Sequence, residues 1–161
     1  MDLDDIPATN VSLSYLKAFD GLQSVSLRKT RITDAGLQQL TAFQKLTTLS
    51  LESTRVTDAG LEHLKTFTTL ERLNLGDTQV SDSGVAHLSG LTNLQFLSLW
   101  RTRVTDSGLH HLKDLTKLQE LHLSAMPING DGLRHLKAMS RLQSLSLNES
   151  PVNDRGLEHL Q

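Results

Sequence analysis

A leucine pattern that recurs every 24 residues constrains the fold of this chain more than any other feature. The full copies are 22–45, 46–69, 70–93, 94–117 and 118–141. Residues 142–161 begin a further copy, and residues 1–21 align with the end of an earlier one. A unit of this length cannot bury its apolar side alone, so neighbouring units must stack into a solenoid. We predict a single domain over residues 1–161, with a partial repeat at each end and no dedicated caps.

Each unit combines two hydrophobic periods. Its first half has the form LxxLxL, in which the fourth and sixth positions share one side of a short strand. Thr-Asp or Ser-Asp then precedes the second half, and such residues cap helix starts by accepting backbone hydrogen bonds. Leucines follow at every third position, as on one side of a short helix or 3₁₀ turn. The sequence therefore predicts strands in a parallel sheet, with return helices on the opposite side.

The unit LxxLxLxxT followed by TDxGLxxL resembles the leucine-rich repeat, especially its bacterial TDAGLxHL variety, which is related to the cysteine-containing class. The resemblance spans essentially the whole chain. It implies an α/β solenoid of about six repeats, with a curved parallel sheet on the concave face and short helices on the convex face. It also implies an inward ladder of threonine hydroxyls at Thr30, Thr54, Thr78 and Thr102. The fifth copy departs from the pattern over 126–131, so we expect a reshaped turn there.

Composition excludes several classes of protein. Without cysteine, the chain has no thiol catalysis, disulfides or cysteine-bound zinc. Its net charge of -2 argues against a broad surface for nucleic acid or anionic membranes. There is no signal-peptide pattern and no apolar run of about 18 residues, so we expect no membrane span. The compartment stays open, with the cytoplasm favoured.

Motifs of catalysis and cofactor binding are missing from the sequence. It contains no GxSxG, HExxH, glycine-rich phosphate loop or CxxC. We therefore predict that the protein is not an enzyme and needs no cofactor.

Histidines occupy one column of the repeat, on the predicted convex side. Position eighteen carries Tyr15, Gln39, His63, His87, His111, His135 and His159, and His110 adjoins the column. Imidazoles at this spacing suggest a transition-metal site or a pH sensor. The column fans outward, however, so we favour packing beside the helix leucines and predict no metal site. The arginines at position ten are interpreted as solvated charges in preference to an anion-binding rim: Arg31, Arg55 and Arg103.

The open face of the sheet, formed by positions three, five and seven of each unit, is the candidate binding surface. Five of its six rows are polar or small, whereas the fourth contains Phe96 and Trp100. The other three phenylalanines belong to a predicted core column: Phe19, Phe43 and Phe67. Exposed aromatic residues dominate binding hot spots. We therefore predict that Trp100 and Phe96 anchor a protein partner, in a site completed by Arg72, Asn74, Asp77, Arg101, Glu120 and His122.

Other interpretations stay open at this point. Trp100 lies one strand away from Gly76, and in one alternative the indole packs flat over that glycine and only covers backbone. In another, the chain is a spacer or docking segment of a larger protein, which contacts its neighbours or further copies of itself through its open ends. A third makes the histidine column a sensor of pH or metal.

Overall fold

The structure is a computed structural model that describes residues 1–160, and its strands follow the predicted period. They are β1 (Ser24–Ser26), β2 (Thr48–Ser50), β3 (Arg72–Asn74), β4 (Phe96–Ser98), β5 (Glu120–His122) and β6 (Ser144–Ser146). These six pair in parallel in the order β1-β2-β3-β4-β5-β6, and each residue pairs with the one 24 positions later, as Ser24 does with Thr48. The predicted α/β solenoid of about six repeats is confirmed. Residue 161, the last of the predicted partial repeat, lies outside the described residues.

The return segments are short helices of two kinds. The α-helices are α1 (Asn10–Ser14), α2 (Asp34–Leu40), α3 (Asp58–Leu61), α4 (Asp82–Val85) and α5 (Asp154–Glu158). Segments of 3₁₀ helix occupy Tyr15–Ala18, Glu62–Thr66, Ala86–Leu88, Gly108–Leu112 and Asp131–Leu136. A leucine at every third position suits the three residues per turn of a 3₁₀ helix. Within residues 1–160, no helix is long and apolar enough to cross a membrane.

The hydrophobic core lies between the strands and the return helices along the whole solenoid. Leu97 and Leu99, the fourth and sixth positions of their unit, have no exposed surface. Phe43 and Phe67 are buried as predicted, but the prediction that Phe19 belongs to the core is wrong, because its side chain is 50% exposed. Phe19 lies in the first turn, and none of the described residues forms an earlier turn to cover it.

The first residues of the chain pair with the β1 edge of the sheet. The amide of Leu3 donates to the carbonyl of Ser26 at 2.9 Å, and the amide of Ser26 donates to the carbonyl of Met1 at 3.0 Å. The Asp4 carboxylate accepts from the amide of Arg28 at 2.8 Å. An acidic segment therefore covers backbone groups that an edge strand otherwise leaves unpaired.

The threonines at position nine are buried, as the resemblance implies, but they do not form a ladder of hydroxyls bonded to one another. Each hydroxyl donates to the carbonyl of the leucine three residues earlier, at 2.6–2.7 Å, in all four cases: Thr30, Thr54, Thr78 and Thr102. The bond stays within one repeat because the chain turns immediately after the strand. Each threonine therefore satisfies a buried backbone carbonyl.

The aspartates at position thirteen connect consecutive repeats, and the prediction that they cap their own helices is wrong. Asp58 accepts from both the amide (2.7 Å) and the hydroxyl (2.5 Å) of Ser81 in the next repeat. The same pair of bonds joins Asp34 to Thr57 and Asp82 to Thr105. Bonds to an ionised acceptor are stronger than neutral ones, so this aspartate ladder ties each turn to its neighbour.

The turn of the fifth repeat is reshaped, as its departures from the pattern predict. Gly130 has a left-handed backbone with φ of 111°, a conformation that favours glycine. Asp106 accepts there from three backbone amides, those of Asn129 (2.8 Å), Gly130 (3.1 Å) and Gly132 (2.7 Å). A Cβ on Gly130 would lie 2.4 Å from the Cα of Gly156, so the last repeat packs directly against this turn.

Candidate functional site on the open face of the sheet

The parallel register brings the predicted site residues together. Arg72, Phe96 and Glu120 pair across β3, β4 and β5. Two residues later, Asn74, Ser98 and His122 pair in the same way. Gly76 and Trp100 follow two residues after their strands. Because alternate residues of a strand share one side of the sheet, these side chains lie on the open face.

A further column lies beside them, from which the sequence interpretation had selected only Asp77 and Arg101. The residue at position eight of every turn has a left-handed backbone, with φ between 52° and 59°: Asp5, Lys29, Ser53, Asp77, Arg101, Ala125 and Glu149. None is glycine, so the usual signal for this conformation is lacking. The recurrence of polar or small residues at position eight is the one signal that pointed to it. The turn ends each strand and adds this eighth column to the edge of the open face.

Phe96 is half-buried between Arg72 and His122, two other residues of the predicted site. The Arg72 guanidinium carbon lies 4.3 Å from the ring centroid of Phe96. The imidazole of His122 meets the same ring edge-on, with centroids 5.2 Å apart. Arg72 also extends to Glu120, with Nη1 and Oε1 3.9 Å apart. The expectation that Phe96 stands exposed is therefore wrong, because the charged residues are folded onto it.

Trp100 is also half-buried, because its indole lies over Gly76. A Cβ at Gly76 would fall 1.9 Å from the indole Nε1 and 2.1 Å from Cδ1, so the ring fills the space that another residue would need. Asn74 holds the glycine in place by accepting its amide hydrogen at 3.0 Å and donating to Glu52 at 2.7 Å. One side of the indole is therefore packed against Gly76, as expected from the alternative interpretation in which Trp100 covers backbone.

On its other side, Trp100 borders a depression of about 500 Å³. The depression is lined by Trp100, Arg101, Ser124, Ala125, Asn148 and Glu149. Ser124 and Ala125 occupy positions seven and eight of the following repeat. Their side chains are small, so they leave space beside the indole. The sequence interpretation included Trp100 and Arg101 in the site but not the other four lining residues: Ser124, Ala125, Asn148 and Glu149.

Arg101 and Asp77, two predicted site residues, pair with each other. The Arg101 Nε lies 3.7 Å from the Asp77 Oδ1, and the Arg101 side chain is 66% exposed. Asp77 also accepts from the Ser53 hydroxyl at 2.9 Å. An exposed pair of this kind contributes little to stability, but it places the Arg101 charge on the Asp77 side of Trp100.

Comparison with known proteins identifies the family. The family described as "Leucine Rich repeat" matches residues 44–65 and 68–89. Among solved structures, an internalin C2 from Listeria monocytogenes is 26% identical with a TM-score of 0.74, over 99% of this chain and 76% of its own. The chain is a leucine-rich repeat protein.

A second internalin from the same bacterium, inlF, shares the fold of this leucine-rich repeat protein. It is 18% identical with a TM-score of 0.71, and the alignment covers 99% of this chain and 51% of inlF. No curated protein sequence gives a significant match. Both structural relatives are bacterial, in keeping with the TDAGLxHL resemblance.

On the helical side of this leucine-rich repeat protein, three histidines form a cluster. Ring centroids are 3.6 Å apart for His110 and His111, and 6.1 Å apart for His110 and His135. Burial lowers the pKa of His111, and the charge of His110 lowers it further. Burial and the charge of Arg134 lower the pKa of His135. Both imidazoles therefore favour the neutral form, and residues 1–160 contain no group of three or more side chains arranged to hold a metal ion.

Proposed function

We propose that this leucine-rich repeat protein is a non-enzymatic interaction module that binds a protein partner through the open, concave face of its sheet. The observation that carries the proposal is the position of Trp100 between Gly76 and a depression of about 500 Å³. One side of the indole is fixed by the protein, and the other borders space that a partner side chain can enter. Tryptophan is enriched among residues that dominate binding energy, and solenoids bind partners through extended surfaces of this kind.

The other site residues contact one another across the open face. Arg72, Glu120 and His122 are ordered by their contacts with Phe96 and with one another. Groups that are already ordered lose less conformational entropy when a partner binds. In the proposal, these residues select the partner by charge and hydrogen bonding, while Asn74 supports the backbone beneath Trp100.

The proposal assigns no catalytic step to this face. Glu120 and His122 lie at alternate positions of β5, so their side chains run side by side on the open face, where they contact Arg72 and Phe96 respectively. In the described part of the chain, neither is bonded to a hydroxyl that it could activate as a nucleophile.

The test is a pull-down from the native lysate with three forms of the protein. These are the wild type, the double variant Phe96→Ser, Trp100→Ser, and a control double variant Tyr15→Ser, Phe19→Ser. The control removes two aromatic side chains that are 74% and 50% exposed outside the site. We expect a protein to be retained by the wild type and the control but lost by the site variant, with equal circular dichroism spectra. Equal retention by all three folded forms contradicts the proposal.

A second candidate function, docking through the ends of the solenoid, is supported by where apolar side chains are exposed. The large hydrophobic side chains exposed within residues 1–160 all lie near the two ends: Met1, Ile6, Val11, Tyr15, Phe19, Leu157 and Leu160. Exposed apolar surface commonly marks a contact site. Light scattering over a range of concentrations tests this candidate, since end-to-end contact predicts a rising mass that Val11→Asp reduces. A constant monomer mass argues against self-association.

A further inference from the structure

We propose that the depression beside Trp100 receives a cationic side chain, arginine or lysine, from the protein partner. This inference rests on the proposed function and adds the chemical class of the group that the site recognises. It follows from the charges that line the depression, from its shape, and from a cation that the chain itself holds between an aromatic ring and a carboxylate at Phe96.

The two charged residues that line the depression differ in whether their charge is compensated. Arg101 is paired with Asp77, with Nε and Oδ1 3.7 Å apart, on the side of Trp100 away from β6. Glu149 follows β6 on the opposite wall, and its side chain is exposed. Within residues 1–160, the Glu149 carboxylate lies in no ion pair and accepts no hydrogen bond. Glu149 is therefore the one charged lining residue that has no charged partner among the described residues.

The shape of the depression suits a cation between the indole and this carboxylate. Trp100 follows β4 and Glu149 follows β6, so two strand spacings, about 10 Å, separate their backbones. The intervening residues, Ser124 and Ala125, are small and leave this space open. Tryptophan is the best aromatic partner for a cation, and a carboxylate pairs with arginine or lysine through charge-assisted hydrogen bonds.

The chain itself holds one cation between an aromatic ring and a carboxylate, at Phe96. Around Phe96, the Arg72 guanidinium lies over the aromatic ring at 4.3 Å and reaches the Glu120 carboxylate at 3.9 Å. Arg72 comes from the strand that precedes the aromatic residue. The equivalent position before Trp100 is Gly76, over which the indole itself lies, so no side chain of the preceding strand supplies a cation to Trp100. An aromatic ring and a carboxylate are thus present beside the depression, whereas the cation must come from outside.

Trp100 allows a direct measurement because it is the only tryptophan in the chain. Its emission is followed while the intact protein is titrated with the blocked tripeptide acetyl-Gly-Arg-Gly-amide. The citrulline peptide is the neutral control of the same shape, and the glutamate peptide is the control of opposite charge. Glu149→Gln removes the carboxylate, and Glu158→Gln removes an exposed carboxylate far from the site as the matched control.

We expect the arginine peptide to change the emission saturably with a Kd on the order of millimolar, as suits a single side chain. Glu149→Gln weakens this binding about fivefold or more, Glu158→Gln leaves it unchanged, and added salt weakens it. No saturable response to the arginine peptide, an equal response to the citrulline peptide, or an unchanged Kd in Glu149→Gln each overturns the inference.

The failure of this inference is distinguishable from the failure of the proposed function. A partner that is lost from the aromatic double variant but retained equally by Glu149→Gln overturns the cationic assignment and leaves the binding face in place. A partner that the aromatic double variant retains removes the binding face, and the cationic assignment with it.

Discussion

The middle and the ends of the solenoid are built from the same repeat, yet they bury it differently. Leu97 and Leu145 both occupy position four of their units, but Leu97 is fully buried whereas Leu145 is only partly covered. Phe67 and Phe19 both occupy position twenty-two, with exposures of 0% and 50%. The repeat thus determines which way a side chain points, and the presence of a turn on each side determines whether it is buried. In such a fold, much of the stability comes from the interfaces between neighbouring repeats.

The surfaces of the two regions differ as well. On the middle of the open face, side chains are engaged with one another, and the aromatic rings are half-buried. At the ends, apolar side chains such as Val11, with 66% of its surface exposed, lie open. For this reason we propose selective recognition for the middle of the face and less specific apolar contact for the ends.

The largest difference between middle and end is expected from removing the same core leucine in each. Leu97→Ala should lower the free energy of unfolding by about 2–5 kcal/mol, because it opens a cavity in a fully packed site. Leu145→Ala should cost about half as much or less, since part of that side chain is already in water. Urea unfolding of the two variants measures both losses. Equal losses would contradict the view that a turn on each side determines burial.

The next largest effect concerns the aspartate ladder. Asp58→Ala removes the acceptor for the amide and hydroxyl of Ser81 and should cost about 2 kcal/mol. Asp154→Ala, in the last described repeat and exposed, should cost about 0.5 kcal/mol or less. Thermal or urea unfolding compares the two.

Asparagine provides a sharper control at the same position. Asn10 occupies the equivalent position in the first turn. Its side chain accepts from the amide of Thr33 at 3.1 Å and donates to the Thr33 hydroxyl at 2.8 Å. Asp58→Asn should therefore keep most of the stability that Asp58→Ala loses. An asparagine variant as unstable as the alanine variant would show that charge, and not hydrogen bonding, carries the ladder.

A smaller effect is expected from filling the space under Trp100. Gly76→Ala places a Cβ where the indole lies and should displace the ring, lowering stability by about 1 kcal/mol and shifting the emission of Trp100 to longer wavelength. Gly90→Ala is the matched control, because a Cβ there meets nothing within 4 Å. Identical emission spectra for Gly76→Ala and the wild type would place the indole elsewhere.

The smallest effect is a pH dependence from the histidine cluster near the middle of the helical side. The pKa values of His111 and His135 are lowered, chiefly by burial, so the unfolded chain binds more protons than the folded one on acidification. Their contribution is fully present above the unfolded pKa of about 6.5 and is lost as pH falls through the folded values. As the pH is lowered from about 7.5 to about 5, the melting temperature of the double variant His111→Gln, His135→Gln should fall less steeply than that of the wild type. Parallel curves would exclude the cluster as a cause.

Much of the fold could be predicted from the sequence because its signals are local. The alternation that buries Leu97 and Leu99 lies within one strand, and the 24-residue period fixes how strands pair. The hydrogen bond that Ser81 donates to Asp58 joins residues 23 positions apart. That the aspartate binds the next repeat, and not its own helix, is therefore evident only when the turns are stacked. The exposure of Phe19 was mispredicted for a similar reason, since its column is buried only where another turn covers it.

The site was only partly predictable. The pairing of strands placed Arg72, Phe96 and Glu120 in one row, as the repeat alignment predicts. The folding of Arg72 onto Phe96 depends on side-chain conformations that the repeat does not encode. The depression beside Trp100 depends on the left-handed residue at position eight, which carries no glycine to reveal it.

The measurement that tests the central claim most directly is the affinity of the retained partner for Trp100→Ala, compared with Tyr15→Ala, by isothermal titration calorimetry. The first variant removes the aromatic side chain at the middle of the open face, and the second removes one that is 74% exposed at the end of the solenoid. With Trp100 as the anchor, Trp100→Ala should weaken binding by about 2 kcal/mol or more, roughly 30-fold in Kd, and Tyr15→Ala should leave it unchanged. Unchanged affinity in a folded Trp100→Ala variant, or a larger loss in Tyr15→Ala, would contradict the claim and assign binding to the ends.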